Sequence, residues 1–157
     1  MPTYRVASIL PAAANSSAFD RVTLEHDERR VRRKMLRLGN GDELLLDLAD
    51  TTTLDHGAQL QLEDGRTVEV IAKDELLYEI RARDAGHLLR LAWHIGNRHT
   101  PAQLETSRIL IKRDHVLKTM LEGLGAAVAN VTEPFFAEHG AYHHSHGDSG
   151  HALLNRR

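Results

Sequence analysis

Histidine is the residue type in this sequence that is best suited to chemistry. The chain of 157 residues contains eleven histidines and no cysteine. Neutral imidazole binds nickel, zinc and copper(II), whereas thiolates favour copper(I) and tetrahedral zinc sites. The composition therefore predicts a histidine site for Ni(II), Zn(II) or Cu(II). Several of the histidines are concentrated at the end of the chain, and these are His139, His143, His144, His146 and His151.

Two further histidines lie close to the ends of predicted helices. His99 closes a Gly-Asn-Arg-His segment at the end of one helix, a position that the helix macrodipole alone would also favour. His115 follows Asp114 at the start of another helix, where the positive helix end disfavours imidazolium and leaves the neutral ring that a metal needs. His94 lies five residues before His99, which places the two side chains about 140° apart around the helix axis, so the two rings cannot share a face while the helix continues. We expect His94 to pack locally.

The last part of the chain, residues 136–157, is predicted to be a flexible tail. Gly, Ser, Asp and His dominate residues 139–151, and this composition buries too little apolar surface to offset the entropy of ordering. A purification tag would be an unbroken run of histidines, whereas Ser145 and residues 147–150 interrupt this one. A flexible segment imposes no fixed directions on its ligands, so we expect loose chelation by the closely spaced histidines of the tail.

Charge and motifs exclude several classes of function. Twenty Lys and Arg against 22 Asp and Glu leave a net charge of −2, which gives no global preference for nucleic acid or an anionic membrane. The sequence has no phosphate loop, no His-Glu-x-x-His helix and no Gly-x-Ser-x-Gly elbow, so we expect no enzyme and no catalytic residues. No signal peptide opens the chain and no apolar run could span a bilayer, so we expect a cytoplasmic protein.

The most basic part of the sequence is residues 29–34, in which only Val31 interrupts the cations. Such stretches can bind nucleic acid. At a net charge near zero, a solvated strand face or contact with an acidic protein partner is the better interpretation.

The first 73 residues have the pattern of a small all-β domain. Short apolar stretches are separated by turn signals, and alternation is clear in several of them. Gly39-Asn40-Gly41-Asp42 and Asp64-Gly65 supply residues that tolerate positive φ, as tight hairpin turns demand. The predicted strands are residues 3–10, 21–24, 33–38, 43–48, 59–62 and 67–72.

From Asp74 the pattern predicts two helices among four strands. Asp84 and Asp114 occupy helix N-cap positions, and Gly123 and Gly125 offer stop signals for the second helix. The strands are predicted at residues 76–81, 102–105, 108–111 and 126–131. The order β-α-β-β-α-β is that of a ferredoxin-like unit with both helices on one face of an antiparallel sheet. The stripe of the second helix is predicted to be Val116, Leu117, Met120, Leu121 and Leu124.

The predicted fold class is therefore α+β. We expect an N-terminal all-β domain over residues 1–73, a ferredoxin-like βαββαβ domain over residues 74–135, and the flexible His-rich tail over residues 136–157.

Several short motifs follow one another along most of the chain. They are His-Asp-Glu-Arg-Arg at 26–30, Gly-Asn-Arg-His at 96–99, Arg-Asp-His-Val-Leu at 113–117, Gly-Leu-Gly-Ala at 123–126, Pro-Phe at 134–135 and Gly-Ala-Tyr at 140–142. Each motif alone is weak, but this order and spacing are hard to obtain by chance. In these motifs the chain resembles the UreE family, the urease accessory proteins that act as nickel chaperones.

The resemblance implies a function and a set of partners. It implies a homodimeric metallochaperone that binds Ni(II) and delivers it for assembly of the urease active site, together with the accessory GTPase complex and apo-urease. The first domain would dock partner proteins or peptides, and the second would dimerise and hold the ion. The tail would complete or feed the site.

The resemblance also implies roles for particular residues. His99 matches the principal metal ligand of the family, two copies of which face each other across the dimer interface. His115 would be a secondary site, and it lacks the histidine that some members carry two positions earlier, where this chain has Arg113. Family members with dense His tails differ from this chain, so we do not expect a large metal reservoir. The residues themselves leave two alternatives open, a general His-rich buffer or sensor for zinc, copper or nickel, and an RNA-binding module.

Overall fold

The chain folds into two compact units in a computed structural model that describes residues 2–13 and 17–140. The first unit ends at Ala72, and the second unit is Lys73–His139. Within the described residues, neither helix is long and apolar enough to cross a membrane.

The first unit contains a six-stranded mixed sheet. Its strand order is β2-β6-β5-β1-β4-β3. The pairs β1/β4 and β2/β6 are parallel, and the other neighbours are antiparallel. Its elements are β1 (Thr3–Leu10), β2 (Asp20–Leu24), a 3-10 turn (Asp27–Arg29), β3 (Arg30–Arg37), β4 (Glu43–Thr53), β5 (Gln59–Leu62) and β6 (Thr67–Ala72).

Both predicted hairpin turns are present in the first unit. Gly41 and Gly65 adopt φ of 94° and 89°, a region in which an L side chain is strained. The Leu38 amide donates to the Asp42 carbonyl at 2.8 Å and the Leu62 amide donates to Arg66 at 2.8 Å, which closes the two loops. Strands β3 and β4 are longer than predicted, because a register shift after Val31 lets them pair beyond the regular alternation.

The second unit has the predicted ferredoxin-like topology. Its sheet has the order β10-β7-β9-β8, and all neighbouring strands are antiparallel. The Asp84 carboxylate accepts from the His87 amide at 2.7 Å and begins the first helix, as the N-cap pattern predicted. The elements are β7 (Asp74–Arg81), α1 (Ala85–Asn97), β8 (Gln103–Leu104), β9 (Ile109–Lys112), α2 (His115–Gly123) and β10 (Ala127–Pro134).

Both helices pack on one face of this sheet. Leu91 and Ile95 of α1 join Leu117 and Leu121 of α2 in one buried cluster with the inward residues of β7 and β9. Val116 does not belong to this stripe, since its side chain is 58% exposed. The prediction for Val116 was wrong because α2 turns Leu117 and Leu121 toward the sheet, which leaves the residue 100° away facing outward.

The opposite face of the sheet is covered by the chain that follows β10. Phe135 and Ala137 are buried there against Leu77 and Leu110. The Glu138 amide donates to the Ala102 carbonyl at 2.8 Å. Residues 136–138 were expected to belong to the flexible tail, but these contacts fix them to the second unit. The sequence did not predict this packing, because Phe135 and Ala137 form a pattern too short to indicate a helix or a strand.

Candidate metal centre

His99 lies just after the C-terminus of α1, and its side chain is exposed. Its φ is 56°, which makes it the one residue other than glycine with positive φ among residues 2–13 and 17–140. The His99 amide donates to the Gly96 carbonyl at 2.9 Å, and the Thr100 amide donates to the Ile95 carbonyl at 3.3 Å. These two bonds are those of a Schellman motif, in which the residue in the left-handed conformation is usually glycine.

The second helix ends in the same motif with glycine in that position. Gly125 has φ of 89°, and its amide donates to Glu122 at 3.0 Å. The Ala126 amide donates to Leu121 at 3.0 Å. Helix α1 therefore carries a histidine where the backbone favours glycine, at a cost of about 1–2 kcal/mol.

His94 lies in the last turn of the same helix. Its ring packs against the indole of Trp93 at 5.1 Å between centroids, with the planes at 87°. This edge-to-face contact agrees with the expectation that His94 packs locally.

His115 is the first residue of α2 and is exposed. The helix begins there because the Asp114 carboxylate accepts from the Val116 amide at 2.9 Å and from the Leu117 amide at 3.2 Å. Arg113 turns toward the sheet, where its guanidinium donates to the carbonyls of Leu77 and Val131, both at 3.1 Å. Arg113 therefore fastens two strands together and does not take the place of a metal ligand beside His115.

The predicted ligands do not form a cluster in the described part of the chain. His139 is exposed at the end of the second unit. No group of three His, Asp or Glu side chains within residues 2–13 and 17–140 could hold a metal ion together. The remaining tail candidates, His143, His144, His146 and His151, lie outside the described residues.

The chain segment that leads to His139 nevertheless lies beside the loop that follows His99. The Glu138 amide donates a hydrogen bond to the carbonyl of Ala102, which follows His99 by only three residues. The Phe136 amide also donates to the Gln103 side chain at 2.9 Å. Since extended chain spans at most about 3.6 Å per residue, the α-carbons of His99 and His139 lie within roughly 20 Å of each other.

Comparison with known proteins matches both units. A family described as "UreE urease accessory protein, N-terminal domain" matches residues 6–73, and its C-terminal domain counterpart matches residues 75–155. The chain belongs to the UreE family. This confirms the resemblance seen in the short motifs.

Close relatives support membership in the UreE family over nearly the whole chain. The urease accessory protein UreE of Chelativorans sp. (strain BNC1) is 56% identical over 135 residues, which cover 85% of each chain. The UreE of Rhizobium leguminosarum bv. trifolii (strain WSM2304) is 52% identical over 153 residues, 94% of this chain and 79% of the relative. That of Rhizobium meliloti (strain 1021) is 52% identical over 147 residues, 92% and 96% of the two chains.

In this UreE family member, sequence reasoning missed a charged network beside the C-terminal segment. The mostly buried Arg108 guanidinium donates to Glu133 at 2.7 Å and to Glu79 and Glu105 at 3.0 Å each. Its hydrogen bond holds the pKa of Glu105 below the ordinary value. Hydrogen bonds from Arg81, and secondly from Arg108, lower the pKa of Glu79. Glu133 precedes the segment that carries Phe135, so this network anchors the exit of β10.

Sequence reasoning also missed a buried histidine that links the two helices. His87 lies on the inner face of α1 with Leu91 and Ile95. Its Nδ1 accepts from the Arg83 amide at 3.2 Å, and its Nε2 lies 2.8 Å from the carbonyl of Leu124 at the end of α2. The four-residue spacing from Leu91 is the signal that could have identified it as a core residue.

Proposed function

We propose that this chain is a homodimeric nickel metallochaperone that binds Ni(II) and delivers it for assembly of the urease active site. The observation that carries the proposal is the left-handed conformation of the exposed His99. Backbone strain of this kind concentrates at functional sites, and a histidine in a position that favours glycine is best explained by a role for its imidazole. The chain acts as a chaperone and not as an enzyme, working with apo-urease and the accessory GTPase complex in the cytoplasm.

Dimerisation follows from the number of ligands that nickel requires. Ni(II) takes four to six donors, whereas one exposed His99 offers one nitrogen. A two-fold axis near His99 doubles this ligand without any further residue. Leu89 and Trp93 support such an interface, since they lie one turn apart on α1 with side chains 74% and 63% exposed.

The tail completes or feeds this site. The hydrogen bond from the Glu138 amide to the Ala102 carbonyl places the beginning of the tail close to the loop that follows His99. His143 follows His139 by four residues, which span at most about 14 Å. His139, His143, His144, His146 and His151 are therefore proposed as supplementary ligands, with His115 as a secondary site and Zn(II) or Cu(II) as competing ions in vitro.

Calorimetry with Ni(II) on the full chain tests the proposal. The wild type should bind about one tightly held ion per dimer, and His99→Asn should weaken that binding by at least about tenfold. Asn tolerates the left-handed conformation, so this variant removes the imidazole and keeps the helix end. His94→Asn, five residues earlier, is the matched control and should bind as the wild type does.

Delivery is tested by mixing the nickel-loaded protein with apo-urease and the GTPase complex. Active urease should form with the wild type and not with His99→Asn. Unchanged tight nickel binding in His99→Asn would contradict the site. Equal activation without this protein, at the same free nickel concentration, would favour a general metal buffer.

A further inference from the structure

Strand β3 lies at one edge of the sheet in the first unit. Among the described residues it pairs with β4 alone, and no strand lies on its other side. A free edge presents unpaired amide and carbonyl groups, which can pair with an added strand. Most side chains of β3 are exposed, and only Val31 and Leu36 are buried.

The register identifies the residues whose backbone groups point outward. The Leu38 amide donates across the hairpin to Asp42, so Leu38 faces β4. Hydrogen-bonded and non-hydrogen-bonded pairs alternate along an antiparallel ladder. The backbone groups of Arg33, Met35 and Arg37 therefore point toward the free edge. Their side chains share one face, since they are two residues apart.

The edge is strongly cationic, and its cations have no carboxylate partner among residues 2–13 and 17–140. The exposed cations of β3 are Arg30, Arg32, Arg33, Lys34 and Arg37. None of them forms an ion pair with another residue of the described part of the chain. Asp47 and Glu43 stand opposite Arg33 and Arg37 on β4 without such a contact.

We propose that the free edge of β3 binds an extended acidic segment of another protein as an added strand. Arg33, Met35 and Arg37 would face acidic, apolar and acidic residues at alternate positions of that segment, because directly opposite side chains contact each other. Met35 is 46% exposed between the two arginines and supplies the apolar contact. The surface lies in the first unit, and the proposal is independent of nickel binding.

Two features favour an acidic protein strand over a nucleic acid or a purely protective charged edge. Phosphates offer only acceptors, so a nucleic acid bound through its phosphate backbone would leave the outward carbonyls of β3 unpaired, whereas a strand satisfies both donors and acceptors. Charges that merely protect an edge from aggregation are typically lysines. Here four of the five cations are arginines, whose planar guanidinium forms bidentate pairs with carboxylates.

Titration of the full chain with a blocked peptide, Thr-Glu-Thr-Ile-Thr-Glu-Thr, tests the proposal. In NMR spectra, the amide signals of Arg33, Met35 and Arg37 should shift most, and binding should weaken as salt is added. Arg33→Glu/Arg37→Glu should lower the affinity by about tenfold or more. Arg21→Glu/Arg90→Glu makes the same change in net charge at exposed residues, Arg21 on β2 at the opposite edge of the sheet and Arg90 on α1, and should leave the affinity unchanged.

Met35→Pro tests the backbone contribution. It removes an outward amide and should abolish peptide binding while leaving the β4 ladder intact. Thermal unfolding checks that Met35→Pro remains folded, and Met35→Ala should retain weakened binding if the main chain contributes. Absence of binding to the wild type at about 1 mM peptide would overturn the proposal. Preferential binding of a single-stranded RNA would also overturn the proposal. So would self-association of Arg33→Glu/Arg37→Glu with its peptide affinity unchanged, because the cations would then serve only to protect the edge.

Discussion

At the scale of the residue, the two helix ends of the second unit differ in one informative way. His99 and Gly125 occupy equivalent positions in two Schellman motifs, and both have positive φ. Glycine adopts this conformation without steric cost, whereas histidine does not. Stability alone would therefore favour glycine at both ends, and this chain nevertheless has a histidine at one of them.

The substitution His99→Gly should stabilise the fold while it removes the metal ligand. Relief of the left-handed strain, about 1–2 kcal/mol, exceeds the extra entropy that glycine gives to the unfolded chain, about 0.4–1 kcal/mol. The free energy of unfolding should rise by about 0.5–1 kcal/mol in urea without nickel. His94→Gly, in the right-handed interior of α1, should lower it by about 1 kcal/mol. A loss of stability in His99→Gly would show that the imidazole makes a structural contact.

At the scale of the element, the segment after β10 behaves as part of the second unit. Phe135 fills the outer face of the sheet, and the Glu133 carboxylate at the exit of β10 is held by Arg108. The same segment is hydrogen-bonded to Ala102, which lies in the loop that follows His99. Anchoring of this kind sets where the tail begins relative to the proposed ligand, although it adds no ligand itself.

Two truncations should separate the anchored segment from the tail. Deletion of residues 139–157 should leave unfolding of the second unit unchanged and should reduce the number of bound nickel ions, since it removes the tail histidines. Deletion of residues 135–157 should cost at least about 3 kcal/mol, because it empties the site of a buried phenylalanine. Fluorescence of the single tryptophan, Trp93 in α1, reports on this unit.

Point variants provide the matched control for the truncations. Phe135→Ala should lower the free energy of unfolding far more than Phe136→Ala, since Phe135 is buried and Phe136 is 44% exposed. Equal costs for the two variants would contradict the assigned role of the segment.

At the scale of the whole molecule, the second unit leaves apolar surface on α1 without a partner in the described chain. Leu89 and Trp93 are exposed on the helix that ends at His99. Burial of these side chains against a second copy would bring the two helix ends toward each other. Dimerisation and the completion of the nickel site would then be one event.

Leu89→Glu should therefore produce a monomer and weaken nickel binding together. Its charge faces solvent in the single chain, so the fold should be retained, but burial in an interface without a partner is costly. Light scattering measures the mass, and calorimetry measures the nickel affinity. Leu10→Glu, at a partly exposed leucine of the first unit, should leave both unchanged. A dimeric Leu89→Glu would place the interface elsewhere.

The sequence by itself determined the features that depend on short stretches of chain. The hairpins at Gly41 and Gly65 and the caps at Asp84 and Asp114 follow from residues within one or two turns. The spacing of apolar residues predicted the βαββαβ order of strands and helices, and the order of the short motifs identified the family. These features are local, because each is stabilised by neighbours in the chain.

Only the tertiary structure decided the features that depend on distant pairing. It placed Phe135 on the outer face of the sheet, Arg108 among three carboxylates, and β3 at an edge. It also fixed His99 in a conformation that the residue type disfavours. Each depends on contacts between residues far apart in sequence or on a backbone held against its own preference, and no local pattern encodes the partner.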